Sequence, residues 1–522
     1  MKTFNKIMLL LIVLTALNCQ KNQLPTSITK EDGGSLNMSD LVISKGFNWK
    51  TTKDINFEIK LPQDNPNDLI TISDESAELI FFEGYGLAGK LNFNSLITIP
   101  AYIGSLKIQY GESGQYPVTI VDADEYLNID LSGLAGSRSI CGCDDGLRSL
   151  SLHFNGSTAS AILVKEESTG NILFDGIVDQ EADFSFTGSS GDGKMDEIIN
   201  IYVDGNYNSS IITNCSVDLF AGDVYGSFII SSGITANYVP LCDHKSGNPL
   251  SIGYSGTLAF EDLWPSAGDY DFNDLVISYD FDITKNSVEE IEKIEATFTL
   301  DALGASFYNG FGFSFPGVKP NQISSVSGYA LKSSSIVSLL SNGVEANQSD
   351  ATLIVFDDCF DLLKHPGIGN GINTDPQAPY IEPVSIKLVI DFIANGTIPP
   401  GGTINFKQLN IGHFNPFLIV DQDRGKEIHL PYFPPTDLAN SNYFGKWDDD
   451  SNIAGGRYYL TENNYPWAIN IPGNFDYPIE TIDINNAYNF FKNWTESEGD
   501  ESPGWFHHSK GYRNNEYIYK VH

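Results

Sequence analysis

Phe260–Ile283 reads FEDLWPSAGDYDFNDLVISYDFDI and joins the densest acidic spacing of the chain to its clearest strand, Leu275 to Ile283. Ahead of that strand, Asp269, Asp271, Asn273 and Asp274 stand in the pattern D-x-D-x-N-D. Oxygen-bearing side chains at alternate positions of a tight loop can converge on one hard cation, and Ca²⁺ is the simplest relief for carboxylates that repel each other. The strand then fixes one end of the loop.

The spacing of Asp269, Asp271 and Asn273 matches positions 1, 3 and 5 of an EF-hand, and Asp280 falls at position 12. Position 6, which needs Gly for its turn, is Asp274, and a strand replaces the flanking helix. The expectation is therefore a strand-anchored calcium loop and not an EF-hand, weighed against solvated Asx-turn residues. Glu261, Asp262 and the later run Asp448, Asp449, Asp450 are the further carboxylates available to complete a site. Its role is structural: extracellular modules bind Ca²⁺ at about 10⁻⁴ to 10⁻³ M, and ligand at ten times Kd adds roughly 1.4 kcal/mol of stability.

Working outward, the fold class is mainly β. The 522 residues predict two to four domains, and the 48 Gly with few long helical patterns favour strands and turns. Period-two alternation at Ile55, Phe57, Ile59 and Leu61, and at Leu106, Ile108 and Tyr110, marks an Ig-like antiparallel β-sandwich over residues 41–135. A second sandwich is expected over 139–236, where Ile201 to Asn206 reads as a strand entering a hairpin turn. Gly188 to Met195 fits the phosphate-loop pattern G-x-x-x-x-G-K but has Met195 in place of Ser or Thr, so it reads as a Gly-rich hairpin loop. A larger β-rich unit spans 249–506, followed by a tail over 507–522. Near its end Ile484, Ala487, Tyr488, Phe491 and Trp494 predict one amphipathic helix, capped by Asp483 and stopped by Gly499.

The N-terminus carries an address. Lys2 and Lys6, an apolar run from Ile7 to Leu14, and Leu-Thr-Ala-Leu-Asn-Cys19 form a targeting segment over residues 1–19. It resembles a bacterial lipoprotein signal, which implies lipid on Cys19, a membrane anchor and a cell-envelope address at the outer membrane, with cell-surface display a further option. Residues 20–40 are composed like a flexible tether. The 30 basic against 67 acidic residues leave a net charge of −37, which excludes a phosphate-binding footprint, so no nucleic acid or nucleotide partner is expected. In an exported chain Cys141, Cys143, Cys215 and Cys242 are disulfide candidates, with the connectivity open and Cys359 left over.

Two resemblances follow. Cys143-Asp-Asp-Gly-Leu-Arg-Ser-Leu-Ser-Leu-His-Phe-Asn-Gly156, with Thr213-Asn-Cys215-Ser216, resembles a β-sandwich module of bacterial exported proteins. That resemblance implies a staple from Cys141 or Cys143 to Cys215. The last unit resembles the LruC-type C-terminal domain of bacterial lipoproteins, on Phe260-Glu-Asp-Leu-Trp-Pro265, Gly268 to Val276, Ala302-Leu-Gly-Ala305, Asn309-Gly-Phe311, Asn415-Pro-Phe417, His429-Leu-Pro431, Asp449-Asp-Ser451 and Asn464 to Ala468. The family supplies no activity and no catalytic residue. Trp264, Trp447, Trp467 and Trp505 read as buried loop wedges ahead of a sugar-stacking platform. The function expected is a lipid-anchored binding, adhesion or envelope-structural protein without a recognisable catalytic site. Glycans and surface proteins are the candidate partners, and a polysaccharide hydrolase or a bare structural stalk are the alternatives.

Overall fold

Alternation along Thr52–Lys60 buries Ile55, Phe57 and Ile59 and leaves the intervening side chains wetter, as one face of a sandwich requires. The computed structural model describes residues 36–61, 69–85, 92–111, 118–132, 146–216, 219–235, 250–285, 290–332, 336–393, 403–404 and 408–520. Cys19, Cys141, Cys143, Cys242 and the tether lie outside the described residues, apart from the tether's last few positions.

Thr52–Lys60 pairs antiparallel with Asn92–Pro100 and parallel with Tyr126–Asp130. The facing sheet runs Ile80–Tyr85, Leu69–Ser73, Ser105–Tyr110, Thr119–Asp122, and Phe57 meets Phe82 between the sheets with ring centroids 5.3 Å apart.

The second unit is also a sandwich, with its own core of Leu150, Leu152, Phe154, Ile162, Val164, Ile199, Ile201 and Phe228. Ile198–Val203 and Asn206–Ile212 form the hairpin expected from Ile201 to Asn206. Asp204 and Gly205 sit at φ 50° and 82°, the left-handed pair that a two-residue turn needs. The Gly188 to Met195 segment is a correction: it joins Ala182–Thr187 to Ile198–Val203, which lie in different sheets, so it crosses the sandwich and closes no hairpin. It opens no helix either. Gly188 is required there, because a Cβ would lie 2.3 Å from the Lys194 carbonyl carbon.

In the third unit six strands run in the order Ile323–Ser327, Val384–Phe392, Ile291–Ala302, Leu275–Lys285, Leu250–Phe260, Ala468–Pro472. A four-stranded sheet of Ala351–Phe356, Gly310–Phe315, Asn415–Ile419 and Glu427–His429 covers it. Phe281, Phe298, Phe313 and Phe414 interlock between the two. The first and third units share one continuous core, while the second keeps its own. Across that junction His413 Nε2 lies 2.7 Å from Asp54, Lys285 sits over the Phe82 ring, and Asn410 meets Thr98.

Before entering the first sandwich, the chain lies as a strap on the third unit. The Tyr465 hydroxyl donates to the Leu41 carbonyl, Asn464 Nδ2 to the carbonyls of Ser44 and Phe47, and Trp49 Nε1 to the Asn464 carbonyl. Phe47 and Trp49 pack against Trp494.

The single amphipathic helix is replaced by two short ones, Ile484–Ala487 and Phe491–Glu496. Asp483 caps the first by accepting from Asn485 N, and Gly499 follows the second at φ 95°. Ile484, Ala487, Tyr488, Phe491 and Trp494 are all buried as the spacing required. The helix breaks at Tyr488 (φ −120°, ψ 109°), which forms a β-bridge with Arg513 while its hydroxyl donates to the Asp476 carbonyl.

Candidate metal centre

The loop from Glu261 to Asp274 connects two adjacent antiparallel strands whose ends meet at Phe260 and Leu275. Within it Tyr270 and Phe272 take left-handed backbone at φ 61° and 53°, strained positions for residues with a Cβ. This coils the chain so that both rings are buried while the acidic residues that alternate with them, Asp269 and Asp271, come together with Glu261. Ligand oxygens of Glu261, Asp269 and Asp271 then lie within 4.8 Å of one another, although Glu261 and Asp271 are buried.

Backbone donors hold the group in place. Phe272 N donates to Glu261 Oε1 at 2.7 Å, Asn273 N to Asp271 Oδ1 at 3.1 Å, and Thr481 N to Asp271 Oδ2 at 2.8 Å. Asp262 N donates to Asp274 Oδ2 at 2.9 Å, and Asn309 Nδ2 to Asp262 Oδ2 at 2.8 Å. One oxygen has no donor: Glu261 Oε2, on a side chain with no exposure at all. An unmatched buried acceptor costs about 1–3 kcal/mol. Gly268 keeps the space before it open, since a Cβ there would stand 1.7 Å from that same oxygen.

The electrostatics point the same way. Burial pushes the Asp271 carboxyl up to about 8, with Asp269 and Glu480 adding to the rise, and Asp262 up to about 6. Burial, and after it neighbouring carboxylates, hold Glu261 and Asp274 well above the usual range. Lys426 acts on this group through Asp262. Among the described residues no Lys, Arg or His forms an ion pair with Glu261, Asp269, Asp271 or Asp274. A donor set made only of oxygens, short of positive charge and holding an unmatched acceptor, fits a hard cation such as Ca²⁺.

The other residues expected at the site go elsewhere. Asn273 is fully buried but its side chain faces Pro478 and Gly304, and Asp274 is tied to Asp262. Asp280 lies on the exposed side of its strand opposite Thr297. Asp449 closes its own turn through Gly445 N and Ser451 Oγ, and Asp450 sits near Lys45 and Arg457. Only Asp448 touches the loop, accepting from Ala267 N at 2.9 Å. The acidic run at 448–450 therefore buttresses the loop and adds no ligand.

One contributor has no local signature. Glu480 lies far along the sequence in Pro-Ile-Glu-Thr, yet its carboxyl, pushed up to about 7 by burial and then by Asp269, faces this group. Gly304, which leaves room for it, falls in the landmark Ala302-Leu-Gly-Ala305 and carries no side chain to betray a role.

Trp264, Trp467 and Trp505 are buried and Trp447 is exposed, so the four form no stacking platform. A cleft does open where Trp49, Lys50, Lys53 and Asp54 face His413, Phe433 and Asn470. Cys215 is disulfide-bonded, whereas Cys359 is a buried free thiol that burial pushes up to about 12.

Fold and site together define a three-unit β-sandwich protein whose largest unit carries a carboxylate cluster, buried at Glu261 and Asp271 and exposed at Asp269, with one unmatched oxygen on Glu261. Residues 289–506 match a domain of unknown function (DUF4842), a range that begins after the acidic loop and includes Gly304 and Glu480. A solved crystal structure described as "Putative lipoprotein from Bacteroides ovatus" is similar over 69% of this chain and 99% of its own, at 16% identity and a TM-score of 0.44. No curated protein matches the chain.

Proposed function

We propose that the protein is a lipid-anchored envelope protein that binds or organises surface material, and that calcium held by Glu261, Asp269 and Asp271 stabilises its third unit. The observation that carries the calcium reading is the donorless Glu261 Oε2 beneath Gly268, on a side chain that offers a ligand oxygen within 4.8 Å of those of Asp269 and Asp271. Bound there, the ion would supply positive charge, and Phe272, Asn273 and Thr481 would keep the carboxylates aimed at it through their backbone donors. The role proposed for the ion is structural.

The anchor reading rests on Lys2, Lys6, the apolar run and Cys19. Cys19→Ser should move the protein from the membrane pellet to the soluble fraction, and an unchanged pellet would remove the anchor. The place proposed for a ligand is the cleft at Asp54 and His413, where charged and amide groups adjoin aromatic walls. A glycan array run with wild type and His413→Ala should show sugars lost by the variant. Turnover of any sugar, lost in Asp271→Ala, would instead favour the hydrolase, and a blank array would favour the stalk.

A further inference from the structure

A second unmatched acceptor lies in the same region, beside a different glycine. Asn273 is fully buried, and its Nδ2 donates to the Pro478 carbonyl at 3.1 Å, which fixes the amide with Oδ1 pointing away from that partner. Oδ1 has no donor, and neither does the buried Glu480 Oε2. Both point to one spot: a Cβ on Gly304 would stand 2.0 Å from Asn273 Oδ1 and 2.9 Å from Glu480 Oε2. The two oxygens are therefore within about 5 Å of each other, as two oxygens on one Ca²⁺ at 2.3–2.6 Å must be. The nearest backbone donor is already committed, because Gly304 N donates to the Asn273 carbonyl at 2.8 Å.

This spot differs from the first. The oxygens that converge on Glu261 are those of Asp269 and Asp271, and Glu480 is outside that set. The atoms nearest a Cβ at Gly268 belong to Glu261, and those nearest a Cβ at Gly304 to Asn273 and Glu480.

We infer that the third unit holds two calcium ions, the second bound by Asn273 Oδ1 and Glu480 beside Gly304, with Asp271 between the two positions. The inference rests on the calcium reading above, and the test separates their failures. Calcium bound to the full chain at equilibrium dialysis against about 10⁻² M free calcium, ten times the weakest affinity expected, is counted by elemental analysis as the excess over the dialysate in wild type, Glu480→Gln, Glu480→Asp and Gly304→Ala. Two ions per wild-type chain, one in Glu480→Gln and Gly304→Ala, and recovery of the second in Glu480→Asp are the expected result. Circular dichroism on the same samples checks the fold, and Glu480→Gln, which preserves shape, decides if Gly304→Ala does not fold. One ion in wild type, or two retained in Glu480→Gln, overturns the second position and leaves the first. No ion in wild type overturns both.

Discussion

Arg424→Leu should destabilise the third unit by about 3–5 kcal/mol at pH 7, because it leaves two buried carboxylates without their cation. Arg424 Nε and Nη2 grip Glu345 in a fork at 2.6 Å each, and Nη1 donates to Glu427. Glu345, Glu427 and His429 are essentially unexposed, and the His429 ring is stacked between Phe417 and Tyr459. Despite burial, His429 and then Arg424 hold the Glu427 carboxyl down to about 2. A carboxylate depressed in the fold contributes stability that is present above its unfolded value near 4.5 and is lost as pH falls through about 2. Wild type should therefore lose stability between about pH 4.5 and 2. The penalty of Arg424→Leu should shrink as pH falls, because the stranded Glu427 carboxylate then takes up a proton while wild type loses the contribution of its ion pair. Chemical denaturation at pH 7 and at about pH 2 measures both, and a penalty under about 1 kcal/mol at pH 7 would show the network to be dispensable.

Trp49→Ala is the second large expected loss. The ring is buried against Phe47, Trp494 and Phe491, and its Nε1 donates to the Asn464 carbonyl at 2.8 Å. Removing a buried Trp costs about 3–5 kcal/mol, or roughly 10 °C in Tm for a unit of this size. The loss has a particular shape, because Trp49 belongs to the strap that ties the chain's N-terminal side to the third unit. Trypsin should cut the variant faster at Lys45 and Lys50 than the wild type. A small Tm change with unaltered cleavage would mean that the strap does not need this residue.

These two sites show what local pattern reveals and what it hides. The strands announce themselves because a half-buried strand repeats every two residues, so Ile55, Phe57 and Ile59 carry their own evidence. At Asp269 and Asp271 the spacing marks an acidic loop, but the left-handed turns at Tyr270 and Phe272 and the approach to Glu261 are not written in it. Glu480 and Gly304 were not legible, since strand pairing and the fold of distant loops bring them in. Asp449 and Asp450 were legible as acidic residues but went to their own turn and to Lys45 and Arg457, which are partners that sequence spacing does not rank. The helix reading had its buried face right and its continuity wrong, because the bridge from Tyr488 to Arg513 is a non-local contact. The shared core of the first and third units was hidden for the same reason.

The central claim is that calcium holds the loop from Glu261 to Asp274. Thermal unfolding of wild type in EDTA and in calcium at ten times Kd tests it most directly. A stabilisation of roughly 1.4 kcal/mol per bound ion is expected, a rise in Tm of about 3–5 °C for each, and Asp271→Ala should melt at one temperature in both solutions. Identical wild-type melting with and without calcium would contradict it.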